Sequence, residues 1–439
     1  MITCKDTPLP LQSLAMSEPL STQPYKGVRD FYPEDMAIQR YMFDTWSRTA
    51  ESFGYQRYDA SILEPAALYK AKGAENEEMV NEQTYTFTDR GGREVTLRPE
   101  MTPTVARMVA GRQHQLTPPT RWYSIPNLFR YERTQRGRLR EHYQLNCDLF
   151  GVDDIAADIE IIMLAHQLLT DFGATSEMFE IKINDRRTMN KAYELLGITN
   201  PDTVTAITRL NDRKNKIDGD EYLTNLTNIV EDQALAHEIK AMIETSDPGE
   251  NAVVKALVDL GLTNVQLDRS LARGFDYYTR IVFEIFDKHP DGNKRSLLGG
   301  GRYENLTGLF SNTPTSGIGF GLGDVGMRDF LETHNLLPDS ALTTVPLLTI
   351  IPISPEENQP AQVLAQQMRT QAITTSIDFS ARKRDKKFKT AKDSGVRYLI
   401  IIGPDEVNNS TYTLQDLQND HQIVGTIDEL ISAINTSKA

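Results

Sequence analysis

The run EHYQLNCDLFG (residues 141–151) is compatible with few folds. Its polar and apolar residues alternate, so as a strand it puts Gln144, Asn146 and Asp148 on one face and Tyr143, Leu145, Cys147 and Leu149 on the other. The apolar face must pack on a core. The polar face is either a solvated sheet surface or the floor of a polar pocket. RWYSIPNLFRYE (121–132) repeats the pattern, with Arg130 and Glu132 on one face and Phe129 and Tyr131 on the other. TYTFTD (84–89) and EVTLRP (94–99), joined through the turn DRGGRE, extend the expectation to an antiparallel sheet built of hairpins. GFDYYTRIVFEIF (274–286) adds a strand with Ile281, Phe283 and Ile285 inward, preceded by Arg273, Asp276 and Tyr278.

Other segments follow different periods. After Pro33, residues 34–54 space Met36, Tyr41, Met42, Trp46, Ala50 and Phe53 as an amphipathic helix does. Residues 154–173 also read as helical, and 185–262 as a mostly helical, polar inserted domain. From 343 to 439, LLTIIPI, AITTSID and VRYLIIIG alternate with helical runs, which predicts a small α/β domain with a mainly parallel sheet. The fold class expected is therefore α+β for residues 25–184 and 263–335, with a helical insertion at 185–262 and the α/β block at the end. A chain of 439 residues has room for this many domains.

Charge and motif content narrow the chemistry. No apolar run is long enough to cross a membrane, and residues 1–24 lack the basic start and apolar core of a signal peptide. They read as a disordered, Pro-rich extension of a cytoplasmic protein. Cys4 and Cys147 are too few for a disulfide framework or a Cys-rich zinc site. The net charge is −14, yet FRYERTQRGRLRE and SARKRDKKFKTAK are strongly basic, which on an acidic chain suggests local contacts with phosphates. GxxxxGK[ST], HExxH, CxxC and GxSxG are all absent. The remaining groups, arginines, carboxylates and amides, suit a nucleoside triphosphate bound without a P-loop and charge developing at phosphorus.

In order along the chain, YKGVRDFYPED, TLRPEMTPTVAR, LFRYERTQRGRLREHYQLNCDLFG, LARGFDYYTRIVFE and LLGGGRYENL resemble the motifs of class II histidyl-tRNA synthetases. The C-terminal block resembles that family's anticodon-binding domain as far as TYTLQDL. The resemblance runs from Tyr25 over nearly all of the remaining chain. It implies a six-stranded antiparallel catalytic sheet, a homodimer formed through the segment ending at Pro65, ATP as substrate accompanied by Mg²⁺ with no fixed metal site in the protein, and L-histidine and histidine tRNA as partners.

The same resemblance implies roles residue by residue. Glu100, Thr102 and Gln144 would hold the α-amino group of histidine, a carboxylate and two neutral acceptors for three ammonium donors. Tyr278 and Asp148 would read the imidazole. Asp148 stands where the family usually has the longer Glu, so its carboxylate is drawn back by about 1.5 Å. Arg130 and Arg273 would be the catalytic arginines bracketing the α-phosphate, with Arg273 also near the histidine carboxylate. Glu132, Arg138, Gly301 and Gly323 would line the ATP site. Arg136, Arg138 and Arg140 would guide the acceptor end of the tRNA, and Lys383, Arg384 and Lys387 the anticodon stem.

Gly321-x-Gly323-x-x-Gly326 matches the spacing of a dinucleotide fingerprint, but it follows a short Gly-rich run late in the chain and does not open a βαβ unit. It falls where the resembled family has its third motif, and here Val325-Gly326 replaces the usual Glu-Arg while Arg328 lies two positions on. A second expectation stays open for that reason: a synthetase-like regulatory subunit of ATP phosphoribosyltransferase, which does not charge tRNA. Such a chain would be expected to lose the histidine-signature arginine and the C-terminal domain; RGFDYYT and the α/β block are both retained here.

Overall fold

The structure is a computed structural model that describes residues 20–71, 82–212, 214, 217–245, 247–271, 277–339 and 344–437. Residues 1–19, most of the expected N-terminal extension, lie outside these, as do Arg273 and Asp276. Internal contacts divide the chain into two units, 1–341 and 342–439.

The first unit opens with α1 (Pro33–Ser52), started by proline at its first position and by Glu34 and Asp35 in its first turn. It buries Ile38, Met42, Trp46 and Ala50, whereas Met36, expected inward, is exposed. Next come β1 (Gln56–Arg57), β2 (Leu63–Pro65), α2 (Ala67–Lys70), β3 (Tyr85–Thr88), β4 (Glu94–Leu97) and α3 (Thr102–Gly111). Then follow β5 (Thr120–Ser124), β6 (Asn127–Phe129), β7 (Glu141–Phe150), α4 (Ile155–Asp171) and β8 (Phe179–Asp185). The polar stretch forms α5 (Arg186–Leu195), α6 (Pro201–Asp212), α7 (Gly219–Val230), α8 (Gln233–Glu244) and α9 (Ala252–Asp259). Asp185, Asp218, Asp232 and Asn251 cap four of these helices through their side chains. Met189, Tyr193, Ile207, Tyr222, Leu226 and Ile239 give the stretch its own core. The unit closes with β9 (Val265–Leu267), β10 (Ile281–Asp287), β11 (Ser296–Tyr303), β12 (Gly317–Gly323) and α10 (Asp324–Thr333).

The main sheet runs β1-β5-β7-β12-β11-β10-β8-β9, with β6 paired to β7. It has nine strands where six were expected. The strands from β5 to β8 in that order are all antiparallel neighbours, and the short β1 and β9 add parallel edges. β3 and β4 do form a hairpin, but it sits outside this sheet. β4 pairs on both sides, with β2 and β3, in a separate three-stranded sheet. Strand periodicity predicts pairing without saying with whom. Trp46, Leu145, Cys147, Ile161, Phe283 and Phe320 fill the core between the main sheet and its helices.

Arg302 on β11 is fully buried and satisfied. Its guanidinium forks onto both Asp158 oxygens at 2.9 Å and donates to the carbonyls of Val152 and Asp154 and to Ser316 Oγ. It thereby ties the start of α4 to the middle of the sheet.

The second unit contains β13 (Leu348–Pro352), α11 (Asn358–Thr370), β14 (Thr375–Ile377), α12 (Arg384–Asp393), β15 (Tyr398–Ile402), α13 (Pro404–Asn409), β16 (Tyr412–Asp416), β17 (His421–Gly425) and α14 (Ile427–Thr436). The sheet order is β14-β13-β15-β16-β17. The first three strands are parallel, but β16 and β17 join antiparallel, so the mainly parallel sheet expected is in fact mixed. The reason is local: only a short turn separates β16 from β17, too short for the crossover that parallel strands need.

Candidate functional site

Burial decides between the two readings of β7. Asn146 and Asp148 on its polar face are 4% and 2% exposed, so this face is a covered floor and no solvated surface. A cleft lies against it, lined by Glu100, Thr102, Arg130, Gln144, Asn146, Tyr277, Tyr278, Gly299 and Tyr303 together with Gly319, Phe320 and Gly321.

Each wall has a sequence cause. Arg98 is buried and donates to the carbonyls of Asn127 and Ala60, while Arg130 Nε donates to Pro99 O at 2.8 Å. These bonds fix the segment between β4 and α3, which carries Glu100 and Thr102 to the cleft. Glu100 is 3% exposed; its Oε2 accepts from Tyr277 Oη at 3.1 Å, and its carbonyl accepts from Tyr69 Oη at 3.1 Å. Arg130 Nη1 lies 3.9 Å from Glu132, which accepts from Arg138 at 3.0 Å.

Gly321, the first glycine of the fingerprint, and Gly319 two residues before it serve the floor. Gly319 pairs in register with Asp148 and Gly321 with Asn146 on β7. A Cβ on Gly319 would strike the Asp148 carboxylate, and one on Gly321 would lie 2.7 Å from the Gln144 carboxamide. The spacing reflects a strand of period two that leaves room for its neighbour's side chains. Gly323 ends this strand as the N-cap of α10 and does not line the cleft. Gly301 on β11 lies against the Tyr278 ring.

Asp148 does not open into the cleft directly. Its Oδ1 accepts from Tyr303 Oη at 2.5 Å, and Tyr303 is part of the cleft wall. Burial pushes the Asp148 carboxyl up to about 7, against the lowering effect of that bond. On the same face of β7, loss of hydration, then Arg130, Arg29 and Arg138, push the His142 imidazole down to about 3, so it is neutral. The sequence reading passed over Tyr277, Tyr303 and His142. For Tyr303 a signal existed in the alternation Gly299, Gly301, Tyr303; for His142, in its period-two relation to Gln144.

Several expected site residues are engaged elsewhere. Arg140 stacks over the Tyr131 ring at 4.0 Å and donates to Glu132 O and Tyr25 Oη, so it clamps the segment before α1. Arg136 pairs with Asp329 and donates to Asp291 O. Arg328 holds Asp35 and Glu332, each at 2.8 Å, and is not among the groups lining the cleft. In the second unit Lys383 and Arg384 are exposed. Lys387, expected at the tRNA, turns inward: its amine donates to the carbonyls of Pro352 at 3.2 Å and Asp378 at 2.9 Å, because its face of α12 is the one packed on β13.

Comparison with known proteins agrees with this arrangement. The histidyl-tRNA synthetase family model matches residues 27–324, and an anticodon-binding domain model matches 348–437. The chain is 41% identical to the histidine–tRNA ligase of Leptospira biflexa serovar Patoc, covering 94% of this chain and 98% of that protein. It is 37% identical to the ligase of Thermoplasma volcanium, with coverage of 94% and 98%. In fold it is similar to the crystal structure of histidyl-tRNA synthetase from Nostoc sp. PCC 7120, with a TM-score of 0.79, 21% identity, and 95% and 100% of the two chains covered. The chain belongs to the histidyl-tRNA synthetase family.

Proposed function

We propose that the protein is a histidine–tRNA ligase that activates L-histidine with ATP and passes the histidyl group to the 3′ end of histidine tRNA. The observation that carries this reading is that Glu100, Thr102 and Gln144, an acceptor set for an ammonium group, share one small cleft with Arg130. In the first step the histidine carboxylate attacks the α-phosphorus and pyrophosphate leaves. Arg130, and Arg273 by resemblance, would stabilise the charge growing on the phosphoryl oxygens. Tyr278, and Asp148 acting through Tyr303, would hold the imidazole. In the second step the terminal ribose hydroxyl attacks the acyl carbon and AMP leaves.

Glu132 and Arg138, with Gly301 near Tyr278, belong to the ATP side of this proposal. Mg²⁺ would arrive on the ATP phosphates, a mode in which it takes few protein ligands. Glu132 is already bonded to Arg138. Residues 343–439, with Lys383 and Arg384 on their surface, are proposed to meet the anticodon arm, and a homodimer in the cytoplasm is part of the same reading. The exposed Ile62, Leu63 and Phe87 on and beside the three-stranded sheet support a covered face there.

ATP–pyrophosphate exchange with each of the twenty amino acids tests the first step. Exchange with histidine alone is expected; none with any amino acid would remove the ligase reading and leave a regulatory role. Gly321→Ala should raise the histidine KM by about tenfold or more, the worth of a displaced hydrogen bond to a charged group, with little change in the ATP KM. An unchanged histidine KM would show that Gln144 does not hold the substrate.

Asp148 carries a pH signature. Its folded value of about 7 lies above the ordinary 3.8, so the folded protein keeps a proton that the unfolded chain releases. That contribution is full below about pH 4 and is lost as pH rises to about 7. Asp148→Asn cannot ionise, so its urea midpoint should gain on the wild type between about pH 4 and 7. Parallel curves would show that Asp148 is ionised throughout.

A further inference from the structure

Arg130 in the cleft wall faces Glu132, and Glu132 in turn pairs with Arg138. The turn between β10 and β11 docks on the loop between β6 and β7: Arg136 donates to Asp291 O at 2.8 Å, and the Asn293 amide lies within 3.5 Å of Arg136 O. Asn293 also fills the space that a Cβ on Gly137 would take. The next residue but one, Arg295, has its backbone N–H bonded to Asn293 Oδ1 at 3.1 Å, so its position is set by this docking.

The Arg295 side chain is exposed and forms no ion pair among the described residues. Partial burial and then the neighbouring Arg138 make its charge harder to hold, with only Glu132 opposing them. That carboxylate is already bonded to Arg138 and faces Arg130. Arg130, Arg138 and Arg295 thus share Glu132. Nearby arginines are treated differently: Arg29 is paired with Asp324, Arg136 with Asp329, and Arg328 with Asp35 and Glu332. A polyanion leaving the cleft past Arg130 would balance the surplus, and α10 offers no cation of its own because Arg328 is committed.

We propose that Arg295 binds the terminal phosphates of ATP, and equally the pyrophosphate released, with Arg138 beside it. The proposal deepens the ATP-dependent reading above and rests on it. The guanidinium fork suits phosphate oxygens, and binding the leaving pyrophosphate there would favour the forward step.

The test uses full-length wild type, Arg295→Gln and Arg295→Lys. KM values for ATP and pyrophosphate in histidine-dependent exchange are measured beside the Kd values of ATP and AMP from isothermal titration. Arg295→Gln should weaken ATP and pyrophosphate by about tenfold or more, with AMP affinity and histidine KM unchanged and the lysine variant between. ATP and AMP weakened alike, or ATP unaffected, would overturn the assignment. If the wild type exchanges with no amino acid, the ligase reading fails, while the ATP and AMP titrations still decide the role of Arg295. A wild type that binds neither nucleotide overturns both.

Discussion

Arg302→Met should lower the unfolding free energy of the first unit by about 3–5 kcal/mol, the cost of leaving one partner of a buried ion pair without the other. The wild-type side chain is buried and satisfies both Asp158 oxygens, two carbonyls and a hydroxyl. Methionine fills much of the same space and supplies none of those donors. Burial already pushes the Asp158 carboxyl up even with Arg302 present, so without it the carboxylate must take a proton or water must enter. Trp46 and Trp122 are the tryptophans of the chain and both lie in the first unit, so tryptophan fluorescence in urea reads this unit alone. Arg302→Met combined with Asp158→Leu should recover much of the loss, since a well-packed apolar pair can match a buried ionic one. A single variant within about 1 kcal/mol of wild type would mean that the pair contributes little beyond packing.

Arg130→Ala should slow histidine-dependent exchange by about 10²–10³-fold, the usual cost of removing one preorganised donor from a transition state that gathers charge. Its Nε bond to Pro99 O and its approach to Glu132 hold the guanidinium before substrate arrives, so little reorganisation is left for the reaction. The loss should fall on kcat more than on the histidine KM, because the charge it meets grows after binding. Arg130→Lys keeps the charge without the fork and should restore only part of the rate. The side chain is partly exposed and not in the core, so the urea midpoint should move far less than in Arg302→Met. A kcat within about threefold of wild type would place the decisive cation elsewhere, Arg273 being the first alternative.

Much of the cleft was legible because strand geometry is local. Gln144, Asn146 and Asp148 share a face whatever β7 pairs with, and the order of motifs from Tyr25 onward identified the family without any tertiary information. The helix over 33–52 was readable from its proline start and its spacing for the same reason, and that over 155–171 was expected within a residue or two of its ends. The sheet was less so. The hairpin of β3 and β4 left the main sheet for β2, because partner choice depends on segments distant in the chain, and the short turn between β16 and β17 made the C-terminal sheet mixed.

Long cations were the hardest to place. Arg140, Lys387 and Arg302 look alike in sequence to Arg138 and Arg295, yet the first three are spent on an aromatic ring, backbone carbonyls and a buried carboxylate, while the last two stand near each other. A flexible side chain of this length reaches whatever the fold brings near it, and its neighbours come from distant segments. Asp148 makes the same point at the floor of the cleft. Its face on β7 was determined by the sequence alone, through the alternation of side chains; its link to Tyr303 and its reluctance to ionise were decided only when β11 and β12 closed over it, because burial and hydrogen bonding are properties of the assembled sheet.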